Sequence, residues 1–154
     1  MKAEYLNPFI EATNSVFRTM LNLEPVKKDL RLEGDLITSN DANVVLGVTG
    51  ELEGTVIFGF PKKMTLDMVK EMSGMEMEDI NSFVSSALGE VANIISGNAM
   101  TILHDEEIKC DIVPPRIFIG EYKSFAVEDE QPIVLTLGTD MGDFDLNLFL
   151  KEKV

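Results

Sequence analysis

The sequence predicts an α+β protein in which an antiparallel sheet packs against long helices to form two layers. One observation is the helical spacing of apolar residues, which covers residues 6–21 and a longer segment from Glu78 to Leu103. Another is the strand-like alternation, punctuated by glycine and proline, that follows each of these helices. The two halves share this outline, which indicates an internal duplication of one helix and three strands.

The first helix carries apolar residues at i, i+3, i+4 and i+7 through residues 6–21, so one of its faces is expected to be buried. Asn7 and Pro8 fit two interpretations. They begin the helix as its N-cap and first residue, or they lie within a helix that begins near Ala3. The segment 26–34 (VKKDLRLEG), which follows a proline, predicts a short strand.

A first hairpin and a short helix follow. The pattern of residues 43–60 predicts two strands joined by a turn that contains glycine. Pro61 ends the second strand and opens a helix over Met64 to Met72. Gly74 is placed to cap this helix at its C-terminus, because glycine accepts the left-handed backbone that helix ends require.

The segment after the long helix (109–120, KCDIVPPRIFIG) is strand-like, but Pro114 and Pro115 interrupt it, and a central strand does not accommodate them. Residues 132–150 predict a second hairpin, in which apolar side chains alternate with polar ones. No linker or low-complexity segment separates the halves. A chain of 154 residues with 45% hydrophobic content can build a sizeable core, so we predict one domain spanning residues 1–154.

The charge balance excludes several classes of partner. A net charge of −14 argues against nucleic acid, which is bound through Lys and Arg, and against an anionic membrane surface. The apolar runs are too short to cross a bilayer, and the N-terminal residues have no apolar core of a secretory signal. With one cysteine, an intramolecular disulfide is excluded. These features predict a soluble cytoplasmic protein.

No metal site is predicted in this chain. Asp140, Asp143 and Asp145 form an acidic cluster near a turn, but their spacing departs from a calcium-binding EF-hand loop and lacks its closing glutamate. We interpret the cluster as a solvated hairpin. His104, the one histidine, lies near the end of the long helix, where a histidine is favourably placed and is expected to have a structural role.

The long helix combines an apolar arc with a separate polar row. On a helical wheel, Phe83 begins an arc of about 140° that we predict to be the core face. The other members of that arc are Val84, Ala87, Leu88, Val91, Ile94 and Ile95. Four residues at the edge of this arc form what we call the polar stripe: Ser86, Glu90, Asn93 and Gly97. Gly89 lies just beyond the stripe.

A Glu and an Asn three residues apart carry little information by themselves, since the sequence contains four such pairs. Glu90 and Asn93 are distinguished by their context. They lie in the middle of a predicted helix, four residues after a serine and between glycines, and a pair of prolines follows about one strand later. Glycines inside a helix cost about 1 kcal/mol each relative to alanine, so their presence here asks for a reason.

This combination, SALGEVAN (86–93) followed by IVPP, resembles the pattern of the CheC/CheX/FliY family of chemotaxis phosphatases. Ser86, Glu90, Asn93 and Pro115 fill the positions of that pattern, although the gap before the proline is one residue shorter than expected. The segments NPFIEATNSVF, GVTGELEGTVIF and DFDLNLFL also resemble CheX members, so the resemblance extends over nearly the whole chain. It implies a CheC/CheX-like fold.

The resemblance also implies an activity. Members of this family hydrolyse the aspartyl phosphate of response-regulator receiver domains such as CheY. Asn93 would position a water for in-line attack, and Glu90 would contact the lysine in the receiver's active site. The receiver supplies the Mg²⁺, so this chain needs no cofactor of its own. Small or rigid residues would contact the receiver around this pair: Ser86, Gly89, Gly97 and Pro115.

The resemblance further suggests a homodimer formed through edge strands. Two alternatives to an enzyme remain open: a non-catalytic adaptor that binds a receiver or another signalling protein, and a module of the flagellar-switch type. The first helix carries another pair, Glu11 and Asn14, where some relatives have a second site. Here Asn7 replaces the expected Asp or Ser and no matching proline follows, so we predict a surface pair.

Overall fold

The computed structural model describes residues 3–32, 36–38, 40–120, 124–126 and 132–153. Its helices are α1 (Ala3–Leu21), α2 (Lys62–Ser73) and α3 (Ser82–Asp105). Its strands are β1 (Val26–Leu32), β2 (Leu36–Thr38), β3 (Ala42–Gly50), β4 (Leu52–Phe60), β5 (Cys110–Ile112), β6 (Arg116–Ile119), β7 (Ser124–Ala126), β8 (Ile133–Thr139) and β9 (Gly142–Glu152). The last two residues of the predicted first strand, Glu33 and Gly34, lie outside the described residues.

The main sheet has seven antiparallel strands in the order β1-β8-β9-β4-β3-β5, with β6 also pairing to β3. This order is symmetric about the central β9–β4 pair. On one side, β1 from the first half adds to the β8–β9 hairpin of the second half. On the other, β5 and β6 from the second half add to the β3–β4 hairpin of the first half. The two halves therefore exchange their edge strands, in agreement with the predicted duplication.

Helix α1 begins at Ala3 and contains Pro8, so the second interpretation of the Asn7–Pro8 pair is confirmed. Its buried face carries apolar residues at helical spacing, including Phe9, Val16 and Phe17. The Tyr5 hydroxyl at its start hydrogen-bonds with the Glu152 carboxylate at the end of β9.

The boundaries of α2 follow from the residues at its two ends. Pro61 occupies the N-cap position and offers no side-chain cap, and the Asp41 carboxylate instead accepts a hydrogen bond from the Lys62 N–H at 2.8 Å. Gly74 ends the helix with φ at 75°, and its N–H donates to the Lys70 carbonyl at 2.7 Å. The predicted C-terminal cap is confirmed.

The core lies between the helices and one face of the sheet. Phe144 of β9 stacks on Phe17 of α1 at 4.8 Å and on Phe60 of β4 at 5.3 Å between ring centroids. Apolar side chains from α1, α2 and α3 and from β3, β4, β8 and β9 surround this aromatic group. In the described part of the chain, no helix is long and apolar enough to cross a membrane.

Two prolines divide the edge of the sheet next to β3. Pro114 and Pro115 separate β5 from β6, and both of these short strands pair with β3. The Val113 N–H still donates to the Gly47 carbonyl at 2.8 Å, so the ladder is interrupted only at the prolines themselves. The prediction that this segment is not a central strand is confirmed.

Candidate functional site

Helix α3 starts four residues later than predicted. The Asn81 side chain accepts a hydrogen bond from the Val84 N–H at 3.0 Å, which fixes Asn81 as the N-cap and Ser82 as the first helical residue. The predicted start at Glu78 is wrong because Glu78 and Asp79 belong to the loop that precedes this cap. The polar stripe is unaffected, since all four of its residues lie inside the helix.

The polar stripe is fully on the solvent side of α3. Ser86, Glu90, Asn93 and Gly97 are each exposed, and their spacing of four, three and four residues places them on one line along the helix. Glu90 and Asn93 are about 4.5 Å apart along the helix axis. Neither side chain has a hydrogen-bond or ion-pair partner among the described residues, so both are available to an external group.

The predicted core face of α3 is wrong in its orientation. The buried residues of the helix are Val84, Leu88, Gly89, Val91, Ala92, Ile95, Ser96, Ala99, Met100 and Leu103. Their centre lies roughly 100° around the helix from the centre of the predicted arc. Phe83 is 43% exposed, and Ala87 and Ile94 are half-buried. The signal that the sequence analysis missed is the helical spacing of small residues on the buried face, such as Ala92, Ser96 and Ala99.

Gly89 is buried beneath the polar stripe, which corrects its predicted role as a contact for another protein. A Cβ atom at this position would lie 3.2 Å from Cδ1 of Ile117 and 4.0 Å from Cγ of Pro115. Gly89 therefore allows α3 to approach β6 closely. Gly97 differs, because a Cβ atom there would meet nothing within 4 Å.

The structure brings Pro115 to the side of α3. Pro115 is half-buried, and its ring lies next to Gly89, which directly precedes Glu90 in the helix. Two distant parts of the sequence thus meet at one place, as the predicted site requires. The candidate site therefore comprises Ser86, Glu90, Asn93, Gly97 and Pro115, with Gly89 packed below them.

The first helix carries a row with the same spacing as the polar stripe: Asn7, Glu11, Asn14 and Arg18. Arg18 takes the position of Gly97, and its guanidinium pairs with the Glu24 carboxylate at 2.9 Å. Asn14 is half-buried, and its Oδ1 is buried without a hydrogen-bond partner among the described residues. Because this amide is turned inward and a long cation fills the neighbouring position, α1 lacks the open row that α3 presents.

Other polar candidates have structural partners. Asp143 pairs with Lys28 at 3.0 Å, and Asp145 accepts a hydrogen bond from the Thr136 hydroxyl at 2.7 Å. The His104 ring hydrogen-bonds the Cys110 carbonyl at 2.9 Å and so joins the end of α3 to β5. Burial raises the pKa of the Cys110 thiol, and nearby carboxylates add to this effect. Across the described residues, no group of three His, Cys, Asp or Glu side chains is arranged to hold a metal.

Comparison with known proteins identifies the family. The model of the family described as "Chemotaxis phosphatase CheX" matches residues 42–137. A curated protein of Thermotoga maritima, "CheY-P phosphatase CheX", is 30% identical over 98% of this chain and 98% of its own. The chain belongs to the CheX family. The resemblance seen in the sequence is thereby confirmed.

Solved structures of CheX proteins share the whole fold. The chemotaxis protein CheX of Desulfovibrio desulfuricans has a TM-score of 0.85 and 26% identity, covering 97% of this chain and 99% of its own. CheX of Borrelia burgdorferi, solved as a CheX–CheY–BeF3–Mg²⁺ complex, has a TM-score of 0.81 and 27% identity, covering 96% and 98% of the two chains. The predicted α+β, CheC/CheX-like fold with an antiparallel sheet is confirmed.

Proposed function

We propose that this CheX protein is a phosphatase that hydrolyses the aspartyl phosphate of a CheY-like receiver domain in the cytoplasm. Its membership of the CheX family supports the proposal, as do the activity named for the Thermotoga relative and the CheY complex of the Borrelia relative. The observation that carries it is the exposed pair Glu90 and Asn93, which has no partner among the described residues and lies on the solvent-facing side of α3.

The proposed chemistry requires positioning more than acid–base catalysis. An acyl phosphate is already reactive, and a receiver already holds Mg²⁺ and a lysine near it, so the added protein must place one water in line with the breaking P–O bond. The Asn93 amide can both accept from and donate to that water without becoming charged. The Glu90 carboxylate can pair with the receiver's lysine and so fix the register of the two proteins.

Neighbouring residues of the site support close approach. Ser86 and Gly97 lie one turn or more to either side of the catalytic pair and carry little bulk, so the receiver's backbone can reach the helix. Pro115 holds the adjacent loop in a fixed conformation. Because the buried face of α3 is packed along most of its length, Glu90 and Asn93 are presented from a rigid element.

Decay of a phosphorylated, Mg²⁺-bound receiver tests this proposal. Wild-type protein at substoichiometric amounts is expected to accelerate the decay over several turnovers, whereas Asn93→Ala abolishes the acceleration and Glu90→Ala weakens receiver binding. Glu11→Ala and Asn14→Ala are matched controls on α1 and are expected to keep full activity. Binding of the receiver without accelerated decay would show that the protein is an adaptor and not an enzyme. The absence of both receiver binding and accelerated decay would overturn the proposal.

We further propose that the protein forms a homodimer through β1. The main sheet has two edges, and prolines interrupt the one made by β5 and β6. The edge at β1 contains no proline and exposes Val26, Leu30 and Leu32, whose side chains are 50–65% accessible. Pairing with a second β1 would extend the main sheet and cover this apolar edge. Sedimentation of wild type is expected to give a dimer and Leu30→Asp a monomer; a monomeric wild type would contradict the proposal.

A further inference from the structure

Phe83 is an exposed aromatic residue beside the polar stripe. The other large hydrophobic side chains exposed in the described part of the chain are not aromatic: Val26, Leu30, Leu32, Met75 and Val113. Single exposed apolar residues are common in proteins and need no special explanation. The position of Phe83 relative to the proposed catalytic pair is what gives it significance.

Phe83 lies on the same outward face of α3 as Glu90. It precedes Ser86 by three residues and Glu90 by seven, so these side chains are aligned along the helix. The helix rise places Phe83 about 10 Å from Glu90 and about 15 Å from Asn93 along the axis. Half-buried Ala87 and Ile94 follow Phe83 on the same side, so an apolar row runs directly beside the polar stripe.

We propose that Phe83 anchors the phosphorylated receiver by inserting into an apolar depression about 10 Å from the receiver's active-site lysine. This inference rests on the proposed function and identifies the residue that supplies docking affinity. The polar stripe offers one charge, one amide and two small residues, which gives little apolar area to bury. A large aromatic side chain at the start of the same face supplies that area, and aromatic residues dominate the binding energy of protein interfaces.

The arrangement separates affinity from chemistry. Phe83 is too far from Asn93 to contact the attacking water, so its contact with the receiver is the same before and during the reaction. Interactions that are equal in the ground state and the transition state change KM and leave kcat unaltered. Phe83 is therefore a docking and positioning residue, and its loss has a kinetic signature different from the loss of Asn93.

The test compares Phe83→Ala with Val113→Ala in multiple-turnover dephosphorylation of the Mg²⁺-bound receiver. Val113 is 45% exposed, close to the 43% of Phe83, and serves as the matched control. Its side chain lies on the sheet face away from α3, where it would contact a Cβ atom at Gly47 at 3.2 Å. Phe83→Ala is expected to raise KM about ten-fold and to leave kcat within about two-fold. Phe83→Leu is expected to recover most of the affinity, and Val113→Ala to resemble wild type.

Binding to a BeF3–Mg²⁺-loaded receiver gives an independent readout. In the Asn93→Ala background, Phe83→Ala is expected to weaken binding by the same factor as it raises KM. An unchanged KM in active protein, or a fall in kcat without a change in KM, would overturn the role of Phe83. If wild type itself fails to accelerate dephosphorylation, the proposed function fails first, so the two failures are distinguishable. A Phe83→Ala protein that changes only its sedimentation would indicate a second copy of this chain as the occupant and would also overturn the inference.

Discussion

Gly89 of α3 faces Ile117 of β6 so closely that a Cβ atom at residue 89 would lie 3.2 Å from Cδ1 of Ile117. The helix approaches the sheet at this point, one residue before Glu90. Gly97, two turns further along, borders open space instead. The two glycines of α3 therefore have different physical reasons for their small size, and substitutions at each give different expected outcomes.

Enlarging residue 89 is expected to separate α3 from β6. Gly89→Ala should be nearly neutral for the free energy of unfolding, because the gain in helix propensity offsets a small movement of the flexible Ile117 methyl. Gly89→Leu should lower the free energy of unfolding by about 1–3 kcal/mol through overpacking. Urea denaturation measures both. Equal stability of wild type and Gly89→Leu would show that the contact with Ile117 is not restrictive.

A larger side chain at residue 97 is expected to stabilise the protein and to lower its activity. Gly97→Leu should raise the free energy of unfolding by about 0.5–1 kcal/mol, since a helix interior favours residues with a side chain and space is available. It should at the same time reduce phosphatase activity, because the added side chain blocks the approach of the receiver. Thermal unfolding and receiver dephosphorylation are measured on the same preparation. A variant that is both more stable and fully active would remove Gly97 from the proposed interface.

The start of α3 depends on the side chain of Asn81. Asn81→Ala removes the acceptor for the Val84 N–H and is expected to lower the free energy of unfolding by about 1 kcal/mol. Asn81→Ser, which keeps a capping oxygen, should retain most of the stability. Denaturation curves of the three proteins provide the comparison. If the alanine variant is as stable as wild type, the helix begins independently of this cap.

Gly54 is expected to be essential for the pairing of β4 with β9. Its φ is +149°, and a Cβ atom there would lie 1.9 Å from the backbone carbonyl oxygen of Phe149. Gly54→Ala should therefore lower the free energy of unfolding by more than about 4 kcal/mol or prevent folding. Gly74→Ala is the control, because it also has a positive φ but no atom within 4 Å, and its cost should be about 1–2 kcal/mol. Similar losses in the two variants would contradict the steric explanation.

The sequence predicted the helices and strands well and predicted their relative orientation less well. Both hairpins, the edge position of the Pro114–Pro115 segment and the C-terminal cap at Gly74 follow from local chemistry, and they agree with the structure. The choice between two starts for α1 could not be made locally, since proline is compatible with either position near a helix N-terminus.

The orientation of α3 could not be obtained from hydrophobicity alone. Large apolar residues such as Phe83 and Ile94 drew the predicted core face toward themselves, whereas the helix buries Gly89, Ala92 and Ser96. Small residues are buried where two backbones approach closely. Here α3 approaches β6, which lies far from it in the sequence. Glu90 and Asn93 could be selected from the sequence because a family pattern surrounds them. Phe83 belongs to no such pattern, and only the structure shows that it is exposed beside them.

The exchange of edge strands has a consequence for how the protein is made. The Arg31 guanidinium at the end of β1 donates to the Thr136 hydroxyl on β8 across 105 positions of sequence. During synthesis, β1 can therefore pair with β8 only after the β8–β9 hairpin has been made. Because this pairing joins distant parts of the sequence, we expect assembly of the sheet to be slower than formation of the helices. Removing β9 would separate the two sides of the main sheet, because β9 pairs with β4 on one side and with β8 on the other, so we expect a truncation before Gly142 to prevent folding.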